Sequence, residues 1–90
     1  MKLRWEKQFT KRYQKLPQQI QKQSNQKLGF LLSDIRHPSL RIKKVKGLKT
    51  KANEDVFELS ITKNYRLLFL IRDDTYILLT IGTHTEILGR

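Results

Sequence analysis

The stretch from Val56 to Leu88, VFELSITKNYRLLFLIRDDTYILLTIGTHTEIL, limits the possible folds more than any other part of the chain. Val56 to Ile61 alternates apolar and polar, the pattern of a strand with one face toward a core. Tyr65 to Ile71 and Tyr76 to Ile81 are almost wholly apolar, rich in aromatic and branched aliphatic residues, and short enough to be strands rather than helices. Lys63-Asn64 and Asp73-Asp74 fall where the chain must reverse, because Asn and Asp tolerate left-handed backbone and bond their own main chain. The pattern predicts an antiparallel meander whose apolar surface needs a cover.

The N-terminal half supplies one. Lys2 to Trp5 alternates and reads as a short strand. From Glu6 the period lengthens: Phe9, Tyr13 and Leu16 fall at helical spacing among lysines, giving an amphipathic helix of about three turns with Phe9 and Tyr13 in the core. Pro17 suits the first turn of a second helix, along which Ile20, Leu28, Leu31, Leu32 and Ile35 form an apolar stripe. The glutamines between Gln18 and Gln26 form its uncharged polar face, since Gln is a good helix former. His37-Pro38 is expected to end that helix, because the residue before proline is pushed out of the helical region. His37 itself either borders the turn or takes part in chemistry. The expected class is therefore α+β, a helical hairpin packed on the meander, as a single domain over residues 1–90.

Nineteen Lys and Arg against eight acids give a formal charge of +11, an excess that costs self-repulsion unless a polyanion or acidic partner is the usual neighbour. The cations concentrate in Leu40 to Lys51, LRIKKVKGLKTK, which holds Arg41, Lys43, Lys44, Lys46, Lys49 and Lys51 and no acid. Leu40, Ile42, Val45 and Leu48 are interleaved with them, so the segment can dock its apolar residues and present a track for a phosphate backbone. With no cysteine and only two histidines the chain offers few metal ligands, and no metal or cofactor is expected. The N-terminus lacks the apolar core of a signal peptide, and the longest apolar run is too short to span a bilayer. A cytoplasmic protein without membrane contact is the expectation.

Three polar residues stand out against the apolar strands: Glu58, Arg66 and His84. Alternation puts Val56, Glu58 and Ser60 on one face and the apolar Phe57, Leu59 and Ile61 on the helix-facing side. If Ile61 and Tyr65 close a three-residue turn, Ser60 lies opposite Arg66 and Glu58 is its diagonal neighbour. Such a pair can also be no more than a surface ion pair. A three-residue second turn brings His84 to the Arg66 face. A two-residue turn sends it to the opposite face, unless Gly82 bends the strand end.

If the three converge, they suit RNA cleavage by the substrate's own 2′-hydroxyl, which needs a base, an acid and fixed positive charge on the phosphorane. Arg66 fits the charge role because its planar fork binds two phosphate oxygens. His84 fits proton transfer because imidazole titrates near neutrality. Glu58 could act as base or orient its neighbours, and the lysines of the basic strip would add electrostatic stabilisation.

The order of two helices, the basic LRIKKVKGL, then VFELSI, NYRLLFLIRDD and ILLTIGTHTEIL resembles the RelE/ParE superfamily of toxins from toxin-antitoxin pairs across nearly all the chain. Tyr65-Arg66 before an apolar strand and Gly82-Thr83-His84 after the last one are its most specific parts. The resemblance implies a helical hairpin on a twisted antiparallel sheet. For the RelE and YafQ branches it implies a metal-independent endoribonuclease that cuts messenger RNA, commonly at the ribosome. It equates Arg66 with a phosphate-binding arginine, His84 with a catalytic histidine of YafQ-like members and Glu58 with an acidic position of varied role. Leu88 stands where several active members carry an aromatic ring that can stack on a base. A cognate antitoxin is implied as partner, and the charge of the chain independently predicts acidic groups where such a partner touches. The ParE branch implies instead a non-catalytic inhibitor of DNA gyrase, and a third possibility is an RNA-binding domain without chemistry.

Overall fold

The computed structural model describes residues 1–89. In chain order these form β1 (Lys2–Trp5), α1 (Lys7–Gln14), α2 (Gln18–Ser33), a 3-10 turn (Pro38–Leu40), β2 (Lys43–Lys49), β3 (Asp55–Ser60), β4 (Tyr65–Arg72), β5 (Thr75–Thr83) and α3 (His84–Leu88). The five strands make one sheet in the order β1-β5-β4-β3-β2. The meander β3-β4-β5 is antiparallel, as the apolar runs and turn residues require. β1 joins β5 in parallel, so the sheet is mixed.

The helical hairpin covers one face. Phe9, Leu28, Leu31 and Leu40 pack with Leu59, Ile61, Leu67, Phe69, Tyr76, Leu78 and Ile81 in one buried cluster. Phe57 borders it, so the alternation of β3 points toward the helices as expected. Trp5 stays partly exposed but meets Phe9 and Tyr13 edge-on, each at 4.8 Å between ring centroids. Tyr13 is only half-buried because its hydroxyl bonds Asn25 Oδ1 at 2.7 Å, tying α1 to α2.

Two helix ends differ from expectation. α1 spans two turns, since Lys15 N and Leu16 N bond Arg12 O and Tyr13 O in the tighter spacing of a 3-10 end. α2 stops at Ser33, four residues before His37-Pro38. Asp34 takes extended backbone and its carboxylate accepts from Arg36 N at 3.0 Å, a side-chain turn that competes with helix continuation. Leu32 and Ile35, expected in the apolar stripe, are therefore left exposed near a helix end. His37 caps the 3-10 turn, its Nδ1 accepting from Ser39 N, and its ring stacks on Phe30 at 4.0 Å.

The sheet face away from the hairpin is also apolar. Val45, Val56 and Leu68 form a second buried cluster, rimmed by Leu79, Ile87 and Leu88. α3 folds back over this end of the sheet, and Gly82 permits the close approach: a Cβ there would lie 3.1 Å from Glu86 Oε1 and 3.2 Å from Ile87 Cγ2. Thr83 and Glu86 form a reciprocal capping box that starts α3 directly after β5. Among the described residues no helix is long and apolar enough to cross a membrane.

Candidate active site

The β3–β4 turn is the pivot of the site. Ile61 N bonds Tyr65 O at 2.9 Å, so three residues, Thr62 to Asn64, make the turn and Ser60 pairs with Arg66. Glu58 pairs with Leu68 and is a diagonal neighbour of Arg66, the register expected from the sequence. The second turn has two residues: Arg72 pairs with Thr75 around Asp73 and Asp74, and Asp73 takes the left-handed backbone that such a hairpin demands.

By itself that turn would send His84 to the face opposite Arg66. A bulge intervenes. Leu68 pairs with Thr80 and Phe69 with Leu78, so Leu79 is an extra residue in β5. The shift sets Arg66 opposite Gly82, the register that a three-residue turn would have given. β5 ends one residue later and α3 begins at His84, whose N–H bonds Asn64 O at 3.1 Å. His84 is thus fixed to the same turn that carries Arg66, and it is half-buried.

Arg66 is bound into that turn. Its Nη1 donates to the carbonyl oxygens of Thr62, Lys63 and Tyr65. Its Nε is buried and has no hydrogen-bond partner among the described residues, a rare arrangement for a buried polar atom. Glu58 is not its ion-pair partner. The Glu58 side chain is 3% exposed, and its Oε1 lies 3.3 Å from the Nζ of Lys43, the residue opposite it on β2.

The basic strip divides into four environments. Lys43 answers Glu58, while Lys44 and Lys49 lie 4.0 and 3.1 Å from Asp55 at the far end of β3. The strip holds no acid, but its neighbour strand does. Lys46 and Lys51 are exposed, and among the described residues neither has a carboxylate within ion-pair reach. Leu40 and Val45 dock as expected, whereas Leu48 stays exposed beyond the left-handed Gly47 that distorts β2. Arg41 adopts the left-handed region, φ 47° and ψ 48°, and lies off the strand altogether.

That departure opens a groove of about 500 Å³ between the α2 side of the molecule and the β3–β4 turn. It is lined by Lys27, Ser39, Arg41, Ser60, Ile61, Thr62, Lys63 and Arg66. Lys27 and Lys63 are cations that sequence reasoning passed over. Lys63 could have been found, since it adjoins Arg66 across one short turn, but Lys27 reaches the groove only through packing of α2. Among the described residues no group of three or more His, Cys, Asp or Glu is placed to hold a metal ion.

A helical hairpin on a five-stranded mixed sheet is a small α+β fold shared by known toxins. The chain is similar to the RelE toxin in the RelB-RelE antitoxin-toxin complex of Methanococcus jannaschii, with 21% identity, TM-score 0.73 and coverage of 96% of this chain and 95% of that one. It is similar to a YoeB/ParE toxin from Agrobacterium tumefaciens at 15% identity and TM-score 0.74, covering 93% and 99%. YafQ from E. coli matches at 15% identity and TM-score 0.61, covering 97% of each chain. At these identities the likeness establishes the fold. No curated protein sequence matches the chain. The family model of the ParE toxin of the type II toxin-antitoxin system, parDE, matches residues 3–88, and the chain belongs to this family within the RelE/ParE superfamily.

Proposed function

We propose that this toxin is a metal-independent endoribonuclease that cuts messenger RNA, with the ribosome presenting the message. The observation that supports it most is the anchoring of both residues on the Thr62–Asn64 turn, the His84 backbone N–H on Asn64 O and the Arg66 guanidinium on Thr62 O and Lys63 O, with Arg66 lining a groove of four cations and no carboxylate. In the reaction the substrate's 2′-oxygen attacks the adjacent phosphorus and loses its proton to a base. The bond from phosphorus to the 5′-oxygen breaks, and an acid protonates that oxygen, leaving a 2′,3′-cyclic phosphate. Arg66 neutralises charge that develops on the phosphorane oxygens. His84 moves a proton. Glu58, buried against Lys43, acts as a positioning residue that aims the ammonium along the sheet face. Arg41, Lys43, Lys44, Lys46, Lys49 and Lys51 contribute to binding the RNA backbone, with Lys44 and Lys49 partly offset by Asp55. A cognate antitoxin with acidic contact groups would cover the cationic surface.

A second reading is favoured by the family match itself: a ParE-type toxin that inhibits DNA gyrase without catalysis. Cell-free translation followed by mapping of message ends separates the two. Cleavage within codons should appear with the wild type and fall at least a hundredfold with His84→Ala, the scale of a lost general acid or base, about 10² to 10⁴. Because Arg66 also holds the turn, Arg66→Lys with a melting curve accompanies Arg66→Ala. An intact message with folded protein, together with loss of gyrase supercoiling, would replace the nuclease reading by the second one.

A further inference from the structure

We infer that the groove between the 3-10 turn and the β3–β4 turn is a second RNA subsite, which takes the phosphates flanking the one at Arg66. The inference rests on the reading of the chain as an RNA-binding toxin and extends it to residues outside the basic strip.

Four cations line the groove, Lys27, Arg41, Lys63 and Arg66, with the hydroxyls of Ser39 and Ser60 among them and no acidic side chain. Among the described residues none of the four lies within ion-pair distance of a carboxylate. This sets the groove apart from β2, where Lys43, Lys44 and Lys49 face Glu58 and Asp55. Like charges gathered without counter-charge repel one another, and an anion between them removes that repulsion.

The backbone shows how the groove is made. Lys43 pairs with Glu58, and continuing that register would set Arg41 opposite Ser60. The left-handed conformation of Arg41 breaks the ladder there, and Arg41 and Ser60 become lining residues of the groove. For a non-glycine residue such backbone is uncommon and gathers at functional sites. The Lys27 ammonium is held at the rim by the Ser39 carbonyl at 3.1 Å. Lys63 is exposed at the tip of the turn. The four cations are contributed by α2, by the residue that follows the 3-10 turn and by the β3–β4 hairpin, a spread that fits successive phosphates of an extended strand better than one small anion.

The test uses 2′-O-methyl RNA, which cannot be cleaved by its own 2′-oxygen, as a trimer and a nonamer in fluorescence anisotropy over a series of salt concentrations. Lys27→Met/Lys63→Ala should weaken nonamer binding about tenfold and lower the slope of log affinity against log salt by about 1.4, roughly 0.7 for each lost phosphate contact. Trimer binding should hold. Lys7→Ala/Lys11→Ala removes the same charge from the exposed side of α1 and should change the nonamer less than threefold. Lys63→Glu, on an exposed turn and therefore harmless to folding, should weaken the nonamer further. Wild-type affinity in a folded Lys63→Glu protein, or equal losses in both double variants, would overturn the subsite. Cleavage of an unmethylated message is scored separately: groove-dependent binding without cleavage sinks the nuclease and leaves the subsite, and the reverse pattern does the opposite.

Discussion

At the scale of single residues, Gly82 shows how one missing side chain organises the site. It lies opposite Arg66 and beneath the turn into α3, where a Cβ would crowd the Glu86 carboxylate and the Ile87 methyl. Gly82→Ala should cost about 1–3 kcal/mol of stability, the usual range for overpacking, and should displace His84 as α3 lifts. Urea denaturation measures the first effect and the amide shift of His84 the second. Glu58 makes the opposite point. From its position in an alternating strand it reads as a solvated partner of Arg66, yet it is buried and bound to Lys43, because β2 and α3 cover a face that the strand alternation left open. Arg66 likewise turns back on its own hairpin. Sequence spacing placed both residues on the correct face and diagonal to each other, but the partners of each came from elements whose position it does not encode.

At the scale of elements, the five-residue α3 combines a capping box at its start with the packing of Ile87 and Leu88 on the second cluster. The Thr83 N–H bonds the Glu86 carboxylate at 2.8 Å, and Thr83 Oγ1 accepts from Glu86 N. The backbone bond from Thr83 holds the Glu86 pKa below its ordinary value, aided by the Thr83 side chain and by the charge of Arg12. A carboxylate whose folded pKa is depressed stabilises the fold fully above its unfolded value and loses that contribution as pH falls through the folded one. The hydrogen-exchange protection factors of residues 84–88, with the intrinsic pH dependence of exchange divided out, should therefore fall below the ordinary carboxylate range, while those of the β4–β5 amides hold. Glu86→Gln should remove this acid dependence. Protection factors of residues 84–88 that do not change with pH in the wild type would show that the cap does not hold the helix. Thr83 and Glu86 have the spacing of a capping box, but the strand pattern before them and the short run after them hide it.

At the scale of the whole molecule, the sheet is buried on both faces, though unequally. Leu67 packs under the helices, and Leu68, its neighbour in β4, packs into the smaller cluster with Val45 and Val56. Leu67→Ala and Leu68→Ala should each cost about 2–5 kcal/mol, the range for large-to-small changes in a core. A sheet with one solvated face would lose stability only with Leu67→Ala, so thermal or urea denaturation of the two variants decides between the arrangements. The near-continuous apolar run of β4 carries this information, since a strand covered on both sides has no need to alternate.

The meander, the helical hairpin, the face of each β3 side chain and the register of the first turn follow from local pattern alone, because periodicity and turn chemistry act over a few residues. The resemblance in Tyr65-Arg66 and Gly82-Thr83-His84 pointed to the same fold and family. Three things needed tertiary structure. The bulge at Leu79 restored a register that the two-residue turn had shifted, and no residue type marks it. The parallel pairing of β1 with β5 links residues at opposite ends of the chain. The cationic groove joins Lys27, Arg41 and Lys63 only after α2, the 3-10 turn and the β3–β4 turn have packed around one core. Each depends on contacts between distant segments, where the balance of packing and backbone pairing is set by the whole fold.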